Sequence, residues 1–279
     1  MTLAGEHGGV LTQAEIWNDL VGPAWVKYAA IHDEQAAPFG YAVMDALGDL
    51  AGAHVLDVGC GTGATATQLI ERGAADVLGI DLSVPMIDEA RASARTKVRF
   101  EAGDVGELEL HGPFDVVFAR FGTMFFDDPV AGFARLRAVG AVDARLGFCS
   151  WGQPFDNPVM TLPVMASAPV LGAPQLPGPG EPGPFSLSST EIIQDVLTKA
   201  GWERIEVHEL TLDPPHPAGD AQNVADMAME FNPLLVRGIQ RDPATRDAVH
   251  DAIVTAVQPF ERDGIVHLRA SALIVTAHN

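Results

Sequence analysis

The stretch best equipped for chemistry is Asp57-Val58-Gly59-Cys60-Gly61-Thr62-Gly63. Three glycines at alternating positions let a backbone turn tightly and leave no Cβ against a ligand. The helix expected to follow points its free N–H groups at whatever occupies the turn. A dinucleotide-binding loop has the spacing G-x-G-x-x-G, suited to a pyrophosphate. Here the spacing is G-x-G-x-G, with Asp57 two residues ahead. A carboxylate there is unwelcome to a pyrophosphate but suits a cation such as the amino group of a methionine moiety. A plain glycine turn is the competing reading.

Two more acids stand where strands are expected to end. Asp81 follows 24 residues after Asp57. An acid at that distance accepts from both hydroxyls of a ribose, or simply complements the N-terminus of the next helix. Asp104, in Glu101-Ala102-Gly103-Asp104-Val105, is placed to pair with an adenine amino group or to form a turn after Gly103. His32, His111, His208, His216, His250 and His267 are scattered, with no Ser/His/Asp or metal spacing. They read as surface or packing residues, so none of them is named as a catalytic base, and no metal site is expected. Asp213-Pro214-Pro215-His216 reads as a turn away from the cofactor end.

These motifs, with Gly79-Ile80-Asp81-Leu82-Ser83, Gly103-Asp104 and Phe114-Asp115-Val116-Val117, resemble those of class I S-adenosylmethionine (SAM) dependent methyltransferases. The subgroup resembled is type 11, related to the ubiquinone and menaquinone methyltransferases. Trp17-Asn18 with Gly22 and Trp25-Val26, Ala119 to Phe126, and Gly183-Pro184-Phe185 share that likeness. The resemblance implies SAM as cofactor. It places Asp57, Gly59, Cys60 and Gly61 on the methionine part and Asp81 on the ribose. Leu82 and Met86 would pack on the adenine, with Asp104 and the Val105 backbone at its edge. Ala119 and Arg120 would border the sulfonium, and Trp25 would close a lid. One departure is Ala141-Val142-Asp143-Ala144, where the family usually has a Pro-Gly-Gly turn.

The elements that must hold these residues follow from periodicity. Helices over Ala14 to about Leu50, broken at Gly22-Pro23, form an N-terminal lid (1–50). Strands at 54–58, 76–80, 97–101, 114–119 and 144–150 alternate with helices at 64–72, 83–94 and 129–139. That alternation implies a parallel, doubly wound sheet. The expected fold is α/β, a Rossmann-like seven-stranded sheet with the core at 51–151. Nine prolines from Pro154 to Pro184 exclude a long helix there, so 152–188 reads as an ordered insertion. A core helix, capped by Ser188 with Glu191, and a strand fill 189–214. A helical cap spans 215–262, and a final strand at 265–276 lies in a core segment, 263–279. Met124, Phe125, Trp151 and Phe231 are candidate substrate contacts.

Composition narrows the partners. The net charge of −20 disfavours nucleic acid, which is held through Lys and Arg, and anionic membranes. Met1 to Thr12 lacks a signal-peptide pattern, and no apolar run is long enough for membrane insertion. Two cysteines without metal spacing fit a reducing compartment, so a cytoplasmic location is expected. The expected activity is methyl transfer to an O, N or C nucleophile of a small, apolar metabolite, such as a quinone, polyketide or terpenoid-like product of secondary metabolism. A homo-oligomer is compatible with the sequence. Another SAM reaction, such as cyclisation, a non-catalytic SAM-binding protein and a nicotinamide oxidoreductase are the alternatives, the last disfavoured by the loop spacing.

Overall fold

The computed structural model of the chain describes residues 11–174 and 181–279. Most of Met1 to Thr12 and Pro177 and Pro179 of the Pro-rich insertion lie outside them. Thr12 opens α1 (Gln13–Glu15) through a reciprocal capping box with Glu15. The chain continues as one π-helical turn, Ile16–Leu20, then α2 (Gly22–Lys27) and α3 (Ala29–Leu47). Pro23 sits in the first turn of α2, where its missing N–H costs nothing.

The core then alternates: β1 (His54–Val58), α4 (Ala64–Glu71), β2 (Asp76–Asp81), α5 (Val84–Ala92), β3 (Val98–Ala102), β4 (Phe114–Arg120), α6 (Pro129–Ala138) and β5 (Gly140–Trp151). Next come α7 (Pro158–Leu171), α8 (Thr190–Lys199), β6 (Glu203–Leu212), α9 (Ala221–Phe231), α10 (Pro233–Arg241) and α11 (Arg246–Val257). The chain closes with a small hairpin, β7 (Glu261–Arg262) and β8 (Ile265–Val266), and β9 (Ala270–His278).

Seven strands form one sheet in the order β3-β2-β1-β4-β5-β9-β6. The first five are parallel, and β9 runs antiparallel between β5 and β6. The strand order reverses between β1 and β4. At such a switch point an open α/β sheet has its ligand crevice, outside the carboxyl ends of the strands. Val116, Val117, Phe118 and Ala119 of β4 are fully buried, as a central parallel strand covered on both faces requires.

Four expectations need correction. Prolines do not exclude a helix in the insertion: α7 runs 14 residues with Pro163 and Pro169 inside it. Pro158 occupies its first turn, and Ser167 donates its hydroxyl to the Pro163 carbonyl. The helix is held by tertiary packing, because α7 shares one apolar cluster with α9, α10 and α11. These four helices thus pack as one unit. The N-cap of α8 is Ser189, not Ser188; its hydroxyl accepts from the Ile192 N–H. The last strand does not run unbroken from Ile265. Residues 265–266 pair in the hairpin, and β9 begins at Ala270. The fifth strand starts before residue 144, and the departure at 141–144 lies inside it. β5 already starts at Gly140, and Asp143 takes a left-handed φ of 62° where its pairing to β4 shifts register.

Candidate active site

Asp57 lies on β1 and is fully buried. The Thr65 hydroxyl donates to its Oδ2 at 2.6 Å, and its Oδ1 has no partner. Burial pushes the Asp57 carboxyl up to about 7, against the Thr65 hydrogen bond and the Arg120 charge that favour its ionised form. After it the chain turns on Gly59, Gly61 and Gly63, whose φ values are 70°, 56° and 90°. Only glycine takes such angles without strain. The Cys60 thiol is buried against Gly79 of β2, where an added Cβ would lie 2.9 Å from the sulfur.

Asp81 ends β2 and locks this turn. Its Oδ2 accepts from the Gly61 N–H at 2.9 Å and its Oδ1 from the Ser83 N–H at 2.8 Å. Burial raises its carboxyl too. A carboxylate has about four lone-pair sites, so it can still accept from two hydroxyls. Asp104 is exposed and caps a turn through the Gly106 N–H, at 2.6 Å from its Oδ1. Val105 and Met86 are buried, and Leu82 is half-buried. The N-terminal segment docks at this point. The Asn18 amide donates to the Leu82 carbonyl and accepts from the Val84 N–H, while the Ser83 hydroxyl donates to the Trp17 carbonyl.

Arg120 ends β4, next to fully buried Ala119, and its Nη2 pairs with Asp33 on α3. Its Nη1 is buried without a partner. Eight buried side-chain nitrogens or oxygens among the described residues lack a partner. Five of them belong to Trp25, His32, Asp57, Arg120 and Thr123. Buried polar atoms in folded proteins are nearly always satisfied. Their concentration near the carboxyl ends of β1 and β4 makes this crevice the candidate site for a polar ligand.

An aromatic wall faces these atoms. Trp17 meets Trp25 edge-on at 5.3 Å and Phe125 at 5.1 Å. Trp25 stacks on His32 at 4.0 Å, and Phe231 touches both rings. Of the expected substrate contacts, the structure brings Phe125 and Phe231 into this wall. Trp151 instead stacks on Phe121 at 4.0 Å and joins Phe39. Met124 is buried, and its carbonyl accepts from Gly183 and Ser186.

Five residues had no adequate sequence signal: Trp17 as an aromatic contact, His32, Asp33, Thr123 and His216. Asp33 and Arg120 are 87 positions apart, and no pattern links them. His32 and His216 are not surface residues. Both imidazoles are held at about 4, chiefly by burial, and His32 also feels the charges of His216 and Arg120. His216 lines a small cavity together with Phe231, so the Asp213-Pro214-Pro215-His216 turn lies next to the aromatic wall. Among the described residues no group of three metal-ligating side chains exists, and no helix is long and apolar enough to cross a membrane.

The family profile of the methyltransferase domain matches residues 55–141. The chain is 41% identical over 88 residues to a magnesium-protoporphyrin O-methyltransferase of Rhodobacter capsulatus, covering 30% of this chain and 38% of that protein. It is 34% identical over 114 residues to a demethylmenaquinone methyltransferase of Beutenbergia cavernae, covering 40% and 47%. The chain thus spans less than half the length of these two relatives. A solved protein of Bacillus halodurans described as a methyltransferase superposes with a TM-score of 0.53 at 16% identity, over 86% of this chain and 97% of its own. The strand order, the glycine turn and the acids near the ends of β1 and β2 thus lie in a chain whose residues 55–141 match a methyltransferase domain and whose fold is that of the solved protein.

Proposed function

We propose that this chain transfers a methyl group from SAM to an oxygen, nitrogen or carbon nucleophile of a small, apolar metabolite. The observation that carries the reading is the unpartnered Oδ1 of Asp57, buried beside the glycine turn. A buried carboxylate oxygen without a donor is costly, and the ammonium of a methionine moiety would satisfy it. Gly59, Cys60 and Gly61 offer backbone alone to the same moiety. Asp81, held by the Gly61 and Ser83 amides, is oriented to accept from a ribose. Leu82 and Met86 would flank the adenine, with Asp104 and Val105 at its edge.

SAM supplies a methyl group on a positively charged sulfur that leaves as a neutral thioether. The protein has to align the nucleophile and keep water out, and positioning alone supplies much of the rate. Ala119 and Arg120 border the sulfonium in this reading, and Trp25 closes the lid. The guanidinium there is offset by Asp33, which leaves a site that tolerates a second cation. The lid (1–50) and the two cap insertions (152–188 and 215–262) would enclose the acceptor behind Trp17, Trp25, Phe125 and Phe231. The acidic surface fits a small-molecule partner in the cytoplasm better than a nucleic acid.

The test is incubation of the protein with a cell extract and SAM carrying a trideuterated methyl group, followed by mass spectrometry. Methyl transfer predicts S-adenosylhomocysteine and one extract component carrying the three deuterons. SAM bound and recovered unchanged, or consumed with no labelled product, sinks the reading.

A further inference from the structure

His32 lies outside every cofactor motif. It sits in the first turn of α3, beside Asp33, whose pairing with Arg120 holds this turn against the end of β4. One ring face is covered by Trp25 at 4.0 Å, and Phe231 meets the ring edge-on at 4.7 Å. The Nε2 is buried with no partner. The nearby carboxylates are occupied: Asp33 by Arg120, and Glu230 of α9 by Lys27 of α2. The other charged or titratable neighbours, Arg120 and His216, oppose protonation, as burial does. At neutral pH the ring is therefore neutral, with Nε2 as a hydrogen-bonding atom and no group of the protein to use it.

The rings around that nitrogen, Trp25 and Phe231, are apolar, so the partner that complements it is a hydroxyl carried on an apolar body. We propose that His32 is the catalytic base for a hydroxyl-bearing apolar acceptor, a phenol or enol, seated against Phe231 with its O–H donated to Nε2. The proposal deepens the methyl-transfer reading and rests on it. As the oxygen pair bonds to the methyl carbon, the carbon–sulfur pair stays on sulfur and the hydroxyl proton passes to Nε2. The sulfonium charge disappears as the imidazolium charge appears, so the buried site carries the same net charge before and after. That balance lets an imidazole that resists protonation in the free protein accept a proton in this step.

The experiment is calorimetry on protein loaded with S-adenosylhomocysteine, titrated with 1-naphthol and with 1-fluoronaphthalene, which has the same shape and no donor. The unsubstituted protein should bind 1-naphthol at least tenfold more tightly. His32→Phe, which keeps the aromatic stack, should bind the two equally. His32→Gln should retain part of the preference, because its carbonyl accepts a hydrogen bond. With SAM, His32→Gln should lose at least 100-fold in methylation of 1-naphthol, since an amide cannot take the proton. Equal binding of both probes by the unsubstituted protein, no binding of either, or an undiminished preference in His32→Phe overturns the role of His32. S-adenosylhomocysteine failing to bind overturns the methyl-transfer reading itself.

Discussion

Gly59 and Gly122 touch backbone to backbone. A Cβ on Gly59 would lie 2.7 Å from the Gly122 Cα, and one on Gly122 would lie 2.7 Å from the Val58 carbonyl oxygen and 2.9 Å from the Gly59 Cα. No side chain fits at either position. This contact fastens the turn after β1 to the segment after β4, and so sets Asp57 relative to Arg120 and Thr123.

Gly122→Ala must therefore push two backbone segments apart. Overpacking of this kind costs about 1–3 kcal/mol, and here the strain falls directly on the glycine turn. Urea unfolding should show that loss, and SAM affinity should fall more than tenfold. Gly172→Ala is the control: its φ of 87° strains an added side chain, unlike the φ of −89° at Gly122, but nothing lies within 4 Å of the added carbon. It should cost about 1 kcal/mol and leave SAM affinity alone. Equal SAM affinity in the two variants would show that the contact does not shape the site.

Asp57 makes SAM binding depend on pH. Its carboxyl is pushed up to about 7 by burial, and only the carboxylate attracts an ammonium. Affinity should rise with pH up to about 7, then level off. Each unit below that costs up to about tenfold, or 1.4 kcal/mol. The same shift acts on stability with the opposite sense. The folded protein holds this proton up to about pH 7, whereas the unfolded chain loses it near the ordinary value of 3.8. Stability contributed by Asp57 therefore falls as pH rises between those values. Asp57→Asn should bind SAM poorly at every pH and melt higher than the unsubstituted protein at pH 8, with the difference vanishing near pH 4. Scanning calorimetry at the two pH values checks the sign.

The legible part of this chain was the local part. Each piece of the cofactor side is specified within a few residues: a glycine turn after an apolar strand, an acid at a strand end, Ser83 capping α5 through the Met86 N–H. The acceptor side is built from long-range contacts. His32 and Phe231 are brought together by the packing of α2 on α9 and by the shared core of the cap. Spacing along the chain carries no record of that. The helix α7 was hidden for a related reason. Local propensity argues against Pro163 and Pro169 inside a helix, and only burial of Val164 against α9, α10 and α11 overrides it. Asp104 shows the limit from the other side. Both the adenine and the turn reading were open, and its hydrogen bond to the Gly106 N–H supports the turn without removing the other.

His32 and His216 should make the protein acid-labile well above carboxylate pKa values. Both imidazoles are held at about 4 in the folded state, against 6.5 for a free imidazole. The unfolded chain takes up these protons first as pH falls. Stability is therefore intact above about 6.5 and lost progressively down to about 4, by up to about 1.4 kcal/mol per pH unit for each histidine. His216→Phe, which cannot titrate, should flatten the fall of the urea midpoint between pH 6.5 and 4.5. An unchanged slope would mean that His216 is solvated in solution.

The pair Arg120–Asp33 acts on Asp57 from a distance, with opposite signs from its two ends. The Arg120 charge favours the Asp57 carboxylate, and the Asp33 charge disfavours it. Side-chain exposures of 11% and 27% keep solvent screening low enough for both effects to reach the site. Asp33→Asn removes the repulsion and leaves Arg120 fully available, so the pH midpoint of SAM binding should move down. Arg120→Met removes the attraction, and the midpoint should move up. Breaking a buried pair by removing one partner costs about 3–5 kcal/mol, so both variants should lose stability, Asp33→Asn the more because a nearly buried guanidinium is left unpaired. If the pair were only a tether between α3 and β4, both would lose stability while the midpoint stayed in place. Calorimetric titration with SAM from pH 5.5 to 8.5 separates the two outcomes, because a tether has no sign and a charge does.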